Sequence, residues 1–354
     1  MHIRYIDIRN KDAFDKGHIP NAIHMDKEQL SGDTPYPFSK DETLIFYCAK
    51  GEESAKVAVH FQQLGYSAEN LQGGYLSWLL QEMTEDKSTA IAHSIRKKFH
   101  KPIFSQFTKA VKEYQLVKEG DHIAVCISGG KDSMLMAKLF QELKNHRQVS
   151  FELTFLVMDP GYAPENRRQI EQNAKMMGIP ITVFETNIFA EVFTAPKNAC
   201  YLCAKMRRGH LYSKAKSLGC NKIALGHHFD DVIETTLLSI LWGGQTQTML
   251  PKLHSTNFAD MQLIRPMYLV READILHFSR HHELRFLQCA CKFTDTCSLD
   301  GSMQSKRTEV KALIRQMKEQ NPNVEHSIFR SMQNVHLDAV LGYKKGDKRY
   351  NFLD

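Results

Sequence analysis

No apolar run in the sequence approaches the ~18 residues that a membrane-spanning helix needs, so no membrane partner is expected. The N-terminus, M-H-I-R-Y-I-D-I-R, interleaves charge where a secretory signal would be apolar, and a cytoplasmic protein is expected. Glycine and proline are sparse, 19 and 11 in 354 residues, and no low-complexity tract or internal repeat is present, which excludes fibrous and wholly disordered classes. Charge of one sign is barely in excess: 46 Lys+Arg stand against 40 Asp+Glu, a net charge of +6. Its distribution says more. Residues 1–85 carry 8 Lys+Arg against 13 Asp+Glu, and the remainder 38 against 27, so an acidic piece is joined to a basic one. Such asymmetry suggests separate domains, one of which meets a polyanion or presents a solvated basic surface.

The length, at roughly 150 residues per domain, allows two or three domains. Eight cysteines in a reducing compartment point to metal binding or catalysis rather than disulfides. Cys48 stands alone in the acidic piece, whereas Cys200 with Cys203 and Cys289 with Cys291 form close pairs in the basic piece.

Both pieces alternate strands with helices, an α/β pattern. In the first, residues 3–8 and the apolar run Thr43–Tyr47 read as strands, and Val57, Ala58, Phe61 and Leu64 have helical spacing. Residues 85–120 read as a linker running into a basic helix with Lys97, Lys98, Lys101, Lys109 and Lys112. From residue 121, strands at 122–127, 151–158, 180–185 and 222–225 are separated by helices long enough for a doubly wound parallel sheet, with ligands at the carboxyl ends of its strands. The expected domains are therefore 1–84, the linker and helix 85–120, and 121–354.

Cys48 follows a strand and opens the loop C-A-K-G-E-E-S, which runs into a helix. A thiol ringed by backbone N–H groups at a helix N-terminus is favoured as thiolate or persulfide; the alternative is a small buried hydrophobe. Together with D-I-R at 7–9, G-H-I-P-N-A-I from Gly17 and L-Q-G-G-Y-L-S-W ending at Trp78, this loop resembles the rhodanese sulfurtransferase domain over residues 1 to about 83. The resemblance implies a persulfide sulfur on Cys48. It also marks a departure, since Glu53 stands where the family places an arginine, which favours a protein persulfide over thiosulfate as donor.

Between an apolar strand and a helix lies S-G-G-K-D-S, Ser128 to Ser133. Gly129 and Gly130 allow close approach of backbone to phosphate, the helix N-terminus offers N–H groups, and Lys131 and Ser133 add donors, while Asp132 is a further candidate for nucleotide binding and catalysis. The longer G-x-x-x-x-G-K-[ST] spacing of the Walker loop is missing, which weakens an ordinary ATPase or GTPase reading. A second stretch, A-L-G-H-H-F-D-D-V-I-E-T from Ala224, holds Asp230, Asp231 and Glu234, carboxylates of the type that hold Mg²⁺ near a triphosphate, and His227 as a nucleotide contact; a helix cap with solvated neighbours is the alternative. The hexapeptide resembles the PP-loop of the N-type ATP pyrophosphatases, which implies ATP as cofactor and adenylation of a substrate oxygen.

The pair C-Y-L-C at 200–203 and the pair Cys289 and Cys291 can converge on one zinc or iron–sulfur site, between which spacing does not choose. The stretch C-Y-L-C-A-K-M-R-R-G-H-L-Y, the stretch from Ala224, and then M-L-P-K-L, I-R-P-M and S-M-Q-N-V resemble the tRNA 2-thiocytidine synthetases over about 95–340. That resemblance implies a [4Fe-4S] cluster on Cys200, Cys203 and a third cysteine, with Cys289 aligned best and Cys291 the alternative. Cys126, Cys220 and Cys297 are left as core residues or part of a local insertion.

The combined expectation is an ATP-dependent tRNA sulfurtransferase. It adenylates the C2 oxygen of a tRNA pyrimidine and replaces it with cluster-held sulfur, which Cys48 replenishes from a persulfide donor such as a cysteine desulfurase. Lys205, Arg207 and Arg208 hold the tRNA backbone. A homodimer is allowed for. The alternatives are PP-loop thiolation of another nucleoside or small molecule, and a zinc-stabilised RNA-binding module paired with a sulfur carrier.

Overall fold

The computed structural model describes residues 2–30, 36–193, 199–287 and 306–353. The chain divides into two units, Met1–Thr89 and Ala90–Asp354. Among the described residues no helix is long and apolar enough to cross a membrane.

The first unit is a parallel sheet in the order β2-β1-β3-β4, built from β1 (His2–Asp7), β2 (Ile23–His24), β3 (Glu42–Tyr47) and β4 (Ser67–Asn70). The run T-L-I-F-Y makes β3 a central strand, apolar on both faces, with Leu44, Phe46 and Tyr47 buried. Helix α1 (Lys11–Lys16) is short, and α2 (Glu52–Gln63) lays Val57, Ala58 and Phe61 onto the core made by Ile6, Leu44 and Phe46.

Within residues 85–120 the expected helix is present, while the stretch expected to be a linker before it is helical too. Helix α3 runs unbroken from Gly74 to Arg96, a π-helical turn follows at His100–Phe104, and α4 spans Ser105–Glu113. Ile91, Ile95, Phe99, Ile103 and Phe107 recur every fourth residue and are buried in the main core of the second unit. The lysines lie on the outer face of that stripe, the solvated helix face expected of them. The helix breaks at the turn holding Pro102, which has no N–H for the ladder.

The second unit carries a six-stranded sheet in the order β7-β6-β5-β8-β10-β9. Its strands are β5 (His122–Ile127), β6 (Glu152–Asp159), β7 (Ile181–Glu185), β8 (Lys222–Ala224), β9 (Lys252–His254) and β10 (Gln262–Ile264); all run parallel except β9 at the edge. Helices α5 (Lys131–Asn145), α6 (Pro164–Met176), α7 (Ile188–Phe193), α8 (Ala199–Ser217), α9 (Phe229–Leu241) and α10 (Glu272–His281) connect and cover them. After the last of these come α11 (Lys306–Gln320), α12 (Val324–Ser331) and a hairpin of β11 (Gly342–Lys345) and β12 (Lys348–Asn351).

Alternation along β5 divides the interior. Ile123, Val125 and Ile127 enter one cluster, while Ala124 and Cys126 enter a second with Tyr212, Cys220 and Leu263. Burial pushes both of these thiols up, Cys126 to about 12, in keeping with core roles. The chain leaves β5 toward β6 and later returns on the other side as β8, so the strand order reverses between β5 and β8. Ligands bind open α/β sheets outside the carboxyl ends of such a pair.

Candidate active site and sulfur-carrier loop

Residues 128–133 turn the chain from β5 into α5. Gly129 adopts φ +83°, and a Cβ there would stand 2.7 Å from Ile170 Cγ1, so only glycine fits. The Ser133 hydroxyl donates to the Gly130 carbonyl at 3.0 Å and accepts the Ser128 N–H at 3.1 Å, which closes the loop on itself. No side chain caps α5, so the N–H groups of its first turn remain for an anion.

A cavity of about 310 Å³ opens there, lined by Ser128, Asp132 and Ser133 from this loop, by Gly226 and His227 from the loop after β8 and by Asp231 from the first turn of α9. Asp132 Oδ2 accepts from Lys131 Nζ at 3.1 Å, whereas Oδ1 is buried with no hydrogen-bond partner among the described residues. Lys131 also reaches Glu272 at 3.2 Å. Burial works against its charge, but Asp132 and Glu272 raise its pKa overall. Burial likewise opposes ionisation of Glu272, yet Lys311 and Lys131 hold its carboxyl down at about 2.

Helix α9 starts with a capping box made by His228: the Asp231 N–H donates to His228 Nδ1 at 3.4 Å and the His228 N–H to Asp231 Oδ2 at 3.0 Å. Asp230 and Asp231, expected together on Mg²⁺, are not brought together. Asp230 accepts the Glu272 N–H at 2.7 Å and Arg271 Nη2 at 3.2 Å, tying α9 to the start of α10, and does not line the cavity. Glu234 is buried against Arg307 at 2.7 Å, and Arg307 also meets Asp231 at 2.8 Å. No group of three His, Cys, Asp or Glu side chains among the described residues is arranged to hold a metal ion. Of the carboxylates, Asp132 and Asp231 line the cavity; both Asp231 oxygens are engaged, Oδ1 by Arg307 and Oδ2 by the His228 N–H, so a cation there would have to displace Arg307.

His227 Nδ1 accepts the Arg265 Nε–H at 3.3 Å, which leaves the ring proton on Nε2. Burial and then the Arg265 charge push this imidazole down to about 4, so it is neutral at neutral pH.

Cys200 and Cys203 lie one turn apart at the start of α8. Cys203 is half-buried and packs in the small cluster of Met158, Ile188 and Val192, and Met158 also lines the cavity beside the loop 128–133. The Cys200 side chain, Cys289, Cys291 and Cys297 lie outside the described residues.

In the first unit, Cys48 follows β3. Its Sγ accepts the Gly51 N–H at 3.1 Å and the Ser54 hydroxyl at 3.4 Å. Burial favours the neutral thiol, but the Ser54 hydroxyl and the N–H groups of Lys50, Glu53 and Ser54 outweigh it and hold the pKa below the usual thiol value. Gly74 must be glycine, because a Cβ there would meet the Cys48 carbonyl oxygen at 2.3 Å. The Glu53 carboxylate is held by Lys27 and Lys56.

Several site residues were not anticipated. Gly226 and Arg265 lie inside the stretches A-L-G-H-H and I-R-P-M, whose pattern assigns them no role, and Glu272, Arg307 and Lys311 carry no local signal at all.

The sequence matches the PP-loop domain family over residues 99–292 and the rhodanese-like domain family over residues 2–81. It is 35% identical over 231 residues to the tRNA-cytidine(32) 2-sulfurtransferase of Citrifermentans bemidjiense, covering 64% of this chain and 88% of that one. Identity to the enzyme of the same name from Shewanella amazonensis is 33% over 267 residues, covering 73% and 79%. In fold, the chain resembles the U34-tRNA thiolase NcsA from Methanococcus maripaludis with its [4Fe-4S] cluster, at a TM-score of 0.52 and 21% identity over 68% of this chain and 80% of that one.

Proposed function

The chain belongs to the tRNA-cytidine(32) 2-sulfurtransferase family of PP-loop proteins, with a rhodanese-like domain in front, and from that premise we propose that it replaces the C2 oxygen of an anticodon-loop cytidine by sulfur at the expense of ATP. The supporting observation is that one cavity at the β5–β8 switch joins the phosphate loop, including Asp132, to Met158, against which Cys203 packs.

In this reading the loop 128–133 and the α5 N-terminus hold the triphosphate, with Lys131 at its charge. Asp132 and Asp231 would hold Mg²⁺, which would supply charge neutralisation at the phosphates; the pyrimidine oxygen attacks the α-phosphorus and pyrophosphate departs. The oxygen then leaves with AMP when sulfur attacks C2. Cys200, Cys203 and one of Cys289 or Cys291 would hold a [4Fe-4S] cluster through their thiolates, and the cluster would supply the sulfur-carrying chemistry. Cys48, kept toward thiolate by its N–H ring, accepts the sulfane sulfur of a persulfide donor such as a cysteine desulfurase, and tethering raises its effective concentration.

The test is mass spectrometry of tRNA nucleosides from cells with and without the gene. Loss of 2-thiocytidine in the deletion strain, restored by the intact gene, is expected; unchanged 2-thiocytidine refutes the substrate.

A further inference from the structure

Beside the nucleotide cavity, and sharing Arg207, Leu225 and His227 with it, lies a cleft of about 900 Å³. Its rim carries Lys205, Arg207 and Arg208 from α8, its floor holds Tyr212 stacked on Phe258 at 5.0 Å between ring centroids, and no carboxylate lines it. At its inner end stands Arg265, 8% exposed.

A guanidinium this buried ordinarily has a carboxylate partner, because an unpaired buried charge is costly. Arg265 has none within ion-pair distance among the described residues. Its Nε–H goes to His227 Nδ1 and its Nη1 to the Leu250 carbonyl, leaving three of five N–H groups without an acceptor among the described residues. Burial accordingly lowers its pKa to about 10, still well into the charged range at neutral pH. A planar, charged fork at the end of an acid-free cleft suits a phosphodiester oxygen pair.

We infer that the cleft between α8 and β9–β10 receives the RNA strand at the target nucleotide, with Arg265 anchoring an adjacent phosphodiester and His227 standing at the passage to the nucleotide cavity. The inference rests on the tRNA reading above. RNA rather than ATP is the source of the phosphate because Arg265 lines the wide cleft and not the cavity of the phosphate loop. The arrangement requires the nucleotide to leave its stack, as RNA enzymes do with bases in loops.

The experiment uses the full chain, an unmodified tRNA transcript followed by fluorescence anisotropy at several salt concentrations, and ATP affinity measured separately. Arg265→Gln and the exposed Arg208→Glu are each expected to weaken RNA binding about tenfold and to lower the slope of log affinity against log salt by roughly one, with the ATP affinity of Arg208→Glu within about twofold. Arg208→Glu lies on the surface and keeps the test open if Arg265→Gln melts early. Unaltered RNA binding by both variants overturns the cleft, and loss of ATP affinity alone in Arg265→Gln assigns the phosphate to the nucleotide instead. Absence of RNA binding by the unsubstituted chain overturns the tRNA reading itself, and this inference with it.

Discussion

Gly226, at the end of β8, stands against the backbone of Ser133 at the start of α5: a Cβ at 226 would lie 3.0 Å from Ser133 N and 3.1 Å from Asp132 C. The loops after β5 and β8 thus touch main chain to main chain, and neither can yield without moving the phosphate loop. Gly226→Ala is expected to lower ATP affinity by about tenfold, the scale of one mispositioned charge-assisted hydrogen bond. Isothermal titration with ATP checks this, and the variant's affinity for tRNA should be retained.

The Cys48 thiol makes a pH prediction. Burial raises its pKa, but the Ser54 hydroxyl and the surrounding N–H groups lower it by more, so the thiolate persists to lower pH than in a free cysteine. The rate of iodoacetamide labelling at Cys48 should therefore rise with pH through a midpoint below that of a model thiol. Ser54→Ala removes the strongest lowering contact, and its midpoint should move up. Asn70 keeps the loop in place through its bond to the Gly51 carbonyl at 3.0 Å, so the variant should still fold.

Lys222 and Asp121 form a buried ion pair at 2.5 Å, with Lys222 also donating to the Leu116 carbonyl at 2.9 Å and Asp121 accepting the Lys118 N–H at 2.6 Å. Lys222→Met leaves a buried carboxylate unpaired. This should cost about 3–5 kcal/mol and lower the melting temperature by on the order of 10 °C. Adding Asp121→Asn removes the stranded charge and should recover most of the loss, which calorimetry of the two variants decides.

What could be read from the sequence follows from where the determining contacts lie. S-G-G-K-D-S between an apolar strand and a helix is legible because strand, turn and helix N-terminus are all local. Cys48 is legible for the same reason. The core role of residues 91–107 was hidden because its fourfold apolar stripe shares the segment with a run of lysines, and polarity outweighed periodicity. Strands β9 and β10 have only three residues each and no pattern to find. The fate of Asp230 depends on Glu272 and Arg271, about 40 positions away, and nothing near Asp230 announces them.

Asp132 and Asp230 separate the site as expected from the site as folded. Asp132 lines the cavity and keeps one buried oxygen, Oδ1, without a hydrogen bond among the described residues, 3.8 Å from His228 Nε2, while both oxygens of Asp230 are engaged at the start of α10. Asp132→Asn keeps shape and removes the charge a cation would need, so ATP-dependent formation of 2-thiocytidine should fall by about 100-fold or more with tRNA binding intact. Asp230→Asn removes a charged cap and one arm of the Arg271 pair. It should cost roughly 1 kcal/mol of stability and leave turnover within a few-fold. Pyrophosphate release and melting temperature, measured on both variants, distinguish the roles: an Asp230→Asn enzyme that melts normally and releases no pyrophosphate would make Asp230 the cation ligand, with its ion pair to Arg271 broken when Mg²⁺ and ATP enter.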